Sequence, residues 1–449
     1  MSQSNHIPAH NPITRLATFF SGPWIGRSNI DRLFDEQRES APRRLRIHAL
    51  IAAVCVAGIA GPMSIVEISF WVLLGYFVLR LMWTRRMVIH SVGQPVFLML
   101  LAWAAWLAIS LAWSPDPQTG LLELSDLRFA LLIPALWPII ESRRLLIAAL
   151  CTGFLLGNLM QFVEVIFQGS AWLPFTHMPN RFPGWWGAAT AGSLLTAALG
   201  LHLPAAFLGR GRTRLIGCSL ALLTALGLLA TGSRGGWIAS ALLIIITLAL
   251  ALGSELRTQP RRIIGVCVFL GLLALVAGLA LRGPITSRVI EARDEIRGAL
   301  DRDEFTSPTG ARIAMGVWGL RAFAAHPIEG VGAGGYRTWV MNEIEHQGLD
   351  PDKYSIHDSA HSTPIHVAAT GGLVAITLAL LLVACIGWAA WHSVPPESRG
   401  TYAAGPACAL LGLVLVCAFD TIHLSSRTGA LLGVLLALCP AYMPPRARA

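Results

Sequence analysis

TPIHVAATGGLVAITLALLLVACIGWAAW, residues 363–391, contains no Asp, Glu, Lys or Arg. About 20 apolar residues are enough for a helix to cross the hydrocarbon core of a bilayer. A helix on the surface of a soluble domain keeps one polar face, and this one would have none. The stretch therefore reads as a membrane span. Working outward from it, similar runs follow near 403–420 and 428–443, and others precede it near 47–62, 64–83, 94–113, 121–140, 145–167, 187–209, 214–231, 237–253 and 262–281. The expected fold is an all-α polytopic membrane protein with about twelve transmembrane helices.

Composition agrees. The 449 residues are 54% hydrophobic and 13% charged, with a mean hydropathy of +0.60. A soluble chain carries roughly twice that charged fraction. The fifteen Trp suit side chains placed at the membrane–water boundary. A net charge of +9 could suggest a nucleic-acid partner, but the basic residues gather in short loops between apolar runs. Positive charge in cytoplasmic loops explains them better, so no nucleic acid is expected. Arg85 and Arg86, Arg143 and Arg144, Arg210, Arg212 and Arg214, Arg257, Arg261 and Arg262, and Arg399 fall in alternate loops. That pattern puts both termini in the cytoplasm. All eight cysteines lie inside apolar segments, with no disulfide framework and no CxxC pattern.

The expected organisation is a cytoplasmic arm at 1–46, nine spans over 47–281, an outer loop at 282–362, three spans over 363–443 and a cytoplasmic tail at 444–449. The arm has seven Arg and four acids and no apolar run near Met1, unlike a cleavable signal peptide. The outer loop between spans nine and ten is too long for a simple connector. Within it, SRVIEARDEIRGAL (287–300) and ARIAMGVWGLRAFAA (311–325) have helical patterns. In the second, Ile313, Val317, Leu320 and Phe323 recur at helical spacing beside Arg312 and Arg321.

Chemistry-bearing residues concentrate on the outer side. Three short outer loops carry one arginine each: NRFPGWWG (180–187), TGSRGGW (231–237) and TIHLSSR (421–427), and the long loop adds Arg312. Arginine near membrane depth persists where it faces a cavity or a partner, or where it snorkels to headgroups. Guanidinium also grips phosphate with paired hydrogen bonds, so several arginines meeting in one outer cavity would hold a pyrophosphate. Arg234, flanked by glycine at a helix end, suits that role best. HDSAHSTPIHVAATGG (357–372) supplies His357, His361 and His366, side chains suited to general-base work. The i, i+4 spacing of His357 and His361 could ligate a metal on a regular helix, but Pro364 and the polar run argue against one, and no metal is expected. GVGAGG (330–335) follows no strand, so it is not read as a dinucleotide site. DRD (301–303) and DPD (350–352) read as solvated loop acids, and no Walker motif occurs. No cofactor is expected.

Three stretches carry a resemblance: TGSRGGWIA (231–239), ARIAMGVWGLRAFAAHPIEGVGAGGYRTW (311–339) and AHSTPIHVAATGGLVAI (360–376). Their order and spacing, with the large outer loop, resemble the O-antigen ligase and polymerase superfamily of the bacterial inner membrane. The resemblance implies a glycosyltransferase with a periplasmic active site. It would move a glycan from undecaprenyl pyrophosphate to a new hydroxyl, which in a ligase belongs to a sugar of the lipid A core. It further implies His361 as the catalytic histidine, with Arg181, Arg234 and Arg312 on the donor pyrophosphate. His357, Arg321, Tyr336 and Arg427 fall in supporting positions. Metal-independent transfer with inversion is the expected reaction. The partners are the lipid-linked donor, the lipid A core acceptor and membrane lipids.

The rival within the superfamily is an O-antigen polymerase. Its Arg-x10-Gly pattern occurs here twice, at Arg181 with Gly192 and at Arg321 with Gly332, but in a chain with 43 Gly such matches arise by chance. From another class, a lipid-linked glycan transporter would want ionisable residues at the membrane midplane, for which Asp126, Arg128 and Glu164 are candidates.

Overall fold

A computed structural model describes residues 27–167, 181–255, 271, 282–395 and 398–440. Among these the chain is helical, with an isolated bridge between Phe305 and Tyr354 and no strand. The helices are α1 (Arg27–Ser40), α2 (Pro42–Gly58), α3 (Met63–Val92), α4 (Pro95–Ser110), α5 (Pro117–Asp126), α6 (Arg143–Ile166), α7 (Ala188–Leu208) and α8 (Gly211–Ala230). They continue with α9 (Arg234–Glu255), α10 (Arg282–Asp301), α11 (Pro308–Ala325), α12 (Tyr336–His346), α13 (Thr363–His392), α14 (Gly405–Val416) and α15 (Ser426–Leu438).

Six helical stretches are long and apolar enough to cross a membrane: Met63–Val92, Pro117–Ile166, Ala188–Leu208, Gly211–Ala230, Arg234–Ala251 and Thr363–His392. Pro95–Ser110, Tyr402–Val416 and Ser426–Leu438 are apolar but shorter. The expected span at 262–281 and the expected tail at 444–449 lie outside the described residues, apart from residue 271. The expected span 121–140 is not one continuous helix. After α5 the chain runs through a 3-10 segment (Leu127–Leu131), one α-helical turn (Leu132–Leu136) and a second 3-10 segment (Trp137–Ser142) before α6. Pro134 and Pro138 lack the amide hydrogens a helix needs, and Ile139 leaves helical geometry at φ −118°.

In α7, 94% of the most apolar window is buried, against 17% in α13. So α7 is the axis of the bundle, packed by α8, α9 and α14. Bilayer lipid offers no hydrophobic drive between helices, so small residues must let backbones approach. A Cβ on Gly236 of α9 would lie 2.9 Å from Cα of Gly192 on α7. By contrast, α3 and α13 present large apolar side chains outward, such as Met82 (81% exposed) and Leu380 (66%). Such surface is stable only against lipid.

Several ionisable groups within the bundle are paired. Arg80 of α3 is buried, with Nη1 2.7 Å from His48 Nδ1 and Nη2 donating to Gln37 Oε1 of α1 at 3.0 Å. Arg128 bonds Glu67 at 2.5 Å and Asp126 at 3.2 Å, and the Ser426 hydroxyl donates to Asp126 at 2.7 Å. Glu164 accepts the Gly184 amide at 2.6 Å. The three midplane candidates of the transporter reading thus all tie one helix or loop to another.

Residues 305–360 form a small core of their own, from Ala311, Met315, Trp318, Tyr336, Val340 and Ile344 among others. Ser307 caps α11 by accepting the Gly310 amide, with Pro308 in the first turn. The buried face of α11 is Ala311, Ala314, Met315, Trp318 and Ala322. Val317 and Leu320, part of the expected apolar stripe, are 46% and 55% exposed. The small residues win the inner face because α11 lies directly on α13.

The Gly-rich turn after α11 plugs into a break in α13. Gly372 has φ 61° and ψ −158°, which interrupts the helix. The turn fills the gap: the amides of Val331 and Gly332 donate to the carbonyls of Ala369 and Thr370, both at 2.9 Å. Ser110 of α4 and Glu123 of α5 take the Ala333 and Gly334 amides at 3.0 and 3.1 Å. GVGAGG is a structural wedge that ties the outer loop to three membrane helices.

Candidate active site

The candidate site forms where the start of α13, the corner after α14 and the first turns of α7 meet. Residues 417–422 are zipped to 359–363. The Thr363 amide donates to Cys417 O at 2.8 Å, and its hydroxyl donates to Asp420 O at 2.9 Å. The Ile422 amide reaches the Thr363 hydroxyl at 3.3 Å, and Thr421 bonds Ser359 at 3.1 Å. These contacts hold His361 in the left-handed region, at φ 48°. That conformation is strained for a histidine and persists only where the surroundings impose it.

The imposed geometry points Nδ1 of His361 at Asp420, 3.6 Å from Oδ1. Nδ1 is buried and makes no hydrogen bond. The carboxylate is fixed from two sides, by the Thr421 amide on Oδ1 at 2.9 Å and the Ser193 hydroxyl of α7 on Oδ2 at 3.3 Å. Burial works against the charged form of Asp420, but the His361 ring, the Thr421 amide and the Arg312 guanidinium together outweigh it and hold the carboxyl below its usual range. With Nδ1 turned to the carboxylate, Nε2 is the ring atom left for a substrate. His361 is 26% exposed, enough to be reached.

The Ser-Arg-Gly-Gly turn lies beside this pair. Gly235 abuts Phe419, the neighbour of Asp420, and Gly236 abuts Gly192, the neighbour of Ser193. The glycines thus bring the turn against both sides of the Asp420 mount. Arg234 itself is held by α10: Nη1 donates to Glu295 and to the Thr309 hydroxyl, both at 2.8 Å, and Nη2 to Glu291 at 3.0 Å. Burial works against the Glu295 carboxylate, yet Thr309 and Arg234 pull its affinity for a proton below the usual range. Arg312, on α11, is exposed and makes no hydrogen bond or ion pair with another described residue.

The other expected site residues are distributed as follows. Arg181 opens a loop whose Phe182 amide donates to Ala230 O at 2.9 Å, next to the Ser-Arg-Gly-Gly turn. His357 meets the His361 ring edge-on, with centroids 5.4 Å apart. Partial burial, then the charges of His361 and Arg337, push the proton affinity of His357 down. Arg427 starts α15 and is half-buried. Arg321 lies over the Trp318 ring at 4.5 Å, on the outer domain. Tyr336 is fully buried, and its hydroxyl donates to Met315 O at 2.6 Å. Its role is packing of the outer domain. Tyr336→Phe removes that bond and should cost about 0.5–1.5 kcal/mol, read as a lower unfolding temperature. His366 is 1% exposed, with Nε2 3.6 Å from Glu123 Oε1. Among the described residues no three His, Cys, Asp or Glu side chains converge as metal ligands would.

Asp420, Ser193, Glu291 and Glu295 were not singled out from the sequence. A signal existed for Asp420: it is the one acidic residue after Glu397, at the end of an apolar run, where a lone acid calls for a partner. The others are ordinary loop or helix residues until the fold assembles them.

Residues 219–380 match the model of the O-antigen ligase family. That segment is an O-antigen ligase domain. No curated protein matches the chain. The O-antigen ligase domain runs from α8 into α13, and so contains Arg234, Arg312 and His361. Ser193, Asp420 and Arg181 lie outside it, so its histidine is mounted by parts of the chain beyond the matched segment. The match to the O-antigen ligase family, over a little more than a third of the chain, supports an enzyme of glycosyltransferase type within a membrane.

Proposed function

We propose that this chain is an O-antigen ligase of the bacterial inner membrane. It transfers O-antigen glycan from undecaprenyl pyrophosphate to a sugar hydroxyl of the lipid A core. The reading places about twelve spans in the bilayer, both termini in the cytoplasm and the site on the periplasmic side, as the charge of the short loops suggests. The observation that carries it is the accessible His361 backed by the half-buried Asp420, under the charge of Arg312.

In the proposed reaction the acceptor hydroxyl gives its proton to Nε2 of His361 as its oxygen attacks the anomeric carbon. The bond from that carbon to the pyrophosphate oxygen breaks, and the electron pair leaves with the pyrophosphate. Attack from the opposite face inverts the configuration. Asp420 keeps Nδ1 protonated and steadies the imidazolium that forms. Arg312 meets the leaving pyrophosphate first, because its guanidinium makes no ion pair with a described carboxylate, and Arg181 and Arg234 complete the grip. For Arg234 to do so, Glu291 and Glu295 must yield to the phosphates, which links donor binding to the position of α10.

The test reconstitutes the purified protein with undecaprenyl-pyrophosphate-linked O-antigen and rough lipopolysaccharide, without nucleotide and with chelator. Glycan transferred to the core supports the reading. Longer lipid-linked glycans with no transfer to the core would make it a polymerase. Asp420→Asn should slow transfer roughly 10- to 100-fold with little change in apparent affinity for either substrate, since it disturbs the base and leaves the substrate contacts in place. Unaltered turnover in that variant would remove Asp420 from the mechanism.

A further inference from the structure

At the other end of the bundle from His361 is a cavity of about 460 Å³ that the transfer reaction does not use. Arg143, Arg144, Thr213 and Thr401 stand among its polar lining, and Ile147, Ile216 and Leu220 among its apolar walls. The 12 residues of α14 separate the Thr401–Ala403 side of this cavity from the Asp420 corner. Its electrostatics are one-sided, with two arginines and no acidic residue in the lining. Arg143 and Arg144 are the first residues of α6, and Thr213 lies in the first turn of α8. The start of α8 has no side-chain cap, so its free amides and positive dipole end add to the arginine charge.

The cavity has the make-up of a site and not of a packing defect. Arg143 is 2% exposed and anchored, with Nε donating to Leu438 O at 2.9 Å and Nη2 to Ala403 O at 2.7 Å, which leaves Nη1 outside these bonds. Arg144 is exposed, and Ile216, 51% exposed, opens the cavity onto the apolar outer surface of the bundle. The Tyr402 hydroxyl, also in the lining, is buried without a hydrogen-bond partner. A small anion would satisfy the arginines and leave the apolar wall wet, whereas a neutral chain would leave the charge uncompensated.

We infer that this cavity binds an acidic phospholipid, with its phosphate between Arg143, Arg144 and the start of α8, and an acyl chain along Ile147, Ile216 and Leu220. The lipid bridges α6, α8 and the 401–403 segment, and so stabilises the fold as any ligand specific for the native state does.

The full-length protein in detergent would be titrated with phosphatidylglycerol, with phosphatidylcholine of the same chains and with inorganic phosphate, following unfolding temperature and lipid retention by native mass spectrometry. Saturable protection by phosphatidylglycerol alone is expected. It should weaken about tenfold in Arg144→Gln, which removes a charge-assisted contact without touching the anchored Arg143. Ala148→Trp, at an exposed position on the cavity wall, should abolish protection by filling the space. Equal protection by phosphatidylcholine, or affinity unchanged in both variants, overturns the proposal. Protection by inorganic phosphate matching that by phosphatidylglycerol would make this an anion site and overturn the lipid assignment.

Discussion

Replacing His361 is expected to lower glycan transfer roughly 10²–10⁴-fold, the usual range for loss of a general base. Two variants separate chemistry from folding. His361→Ala removes the ring but places alanine at φ 48°, where an ordinary side chain is strained. His361→Asn removes the base and tolerates the left-handed conformation better. The His361 ring makes no hydrogen bond that holds the fold, so the asparagine variant should melt close to the parent. Both variants should lose transfer to the same depth in the reconstituted assay. Retention of more than about a tenth of parental turnover in a folded His361→Asn protein would take the histidine out of proton transfer and leave it an orienting role.

Gly372→Val should give the largest loss of stability of any single change in the outer half. With φ 61° and ψ −158°, Gly372 occupies a region that is essentially closed to residues with a side chain. A Cβ there would also lie 2.2 Å from the Ile328 carbonyl oxygen. The strain resolves only if α13 straightens or the wedge 326–335 withdraws. Either movement breaks the bonds of Val331 to Ala369, Gly332 to Thr370 and Leu373 to Pro327. At about 1 kcal/mol each, added to 1–3 kcal/mol of backbone strain, the loss should exceed about 3 kcal/mol. The expected readout is early unfolding in detergent, with the 326–337 turn opened to protease. Gly75→Ala is the matched control. Nothing lies within 4 Å of its added Cβ, and alanine is the better helix former in α3. If Gly372→Val melted like Gly75→Ala, the wedge would not hold the outer domain to the membrane helices.

These two expectations had unequal roots in the sequence. His361 could be singled out from the residues around it: a histidine just before a long apolar run, in a stretch too polar and proline-bearing for regular helix. Gly372 could not, because a glycine inside an apolar run reads as ordinary small-residue packing. Only the carbonyl of Ile328, 44 positions earlier in the sequence, makes it obligatory. Arg234 lies between these cases. Its glycine-flanked turn was visible, and an anion partner followed from its chemistry. That two glutamates of α10 fill that place was not visible, since Glu291 and Glu295 read as an ordinary charged helix face.

The sequence by itself determined the membrane class, most helix positions and the end of the molecule where arginine and histidine gather. These follow from hydropathy and charge, properties summed over a window of neighbouring residues. It did not show that the helix is interrupted within the expected span at 121–140, where two prolines lie. The tertiary structure alone decided which groups act together. Asp420 reaches the site across 59 positions from His361, and Ser193 joins it across 227. Such pairings arise where close helix packing on α7 brings distant backbones within a few ångströms, and no local pattern of residues encodes that approach.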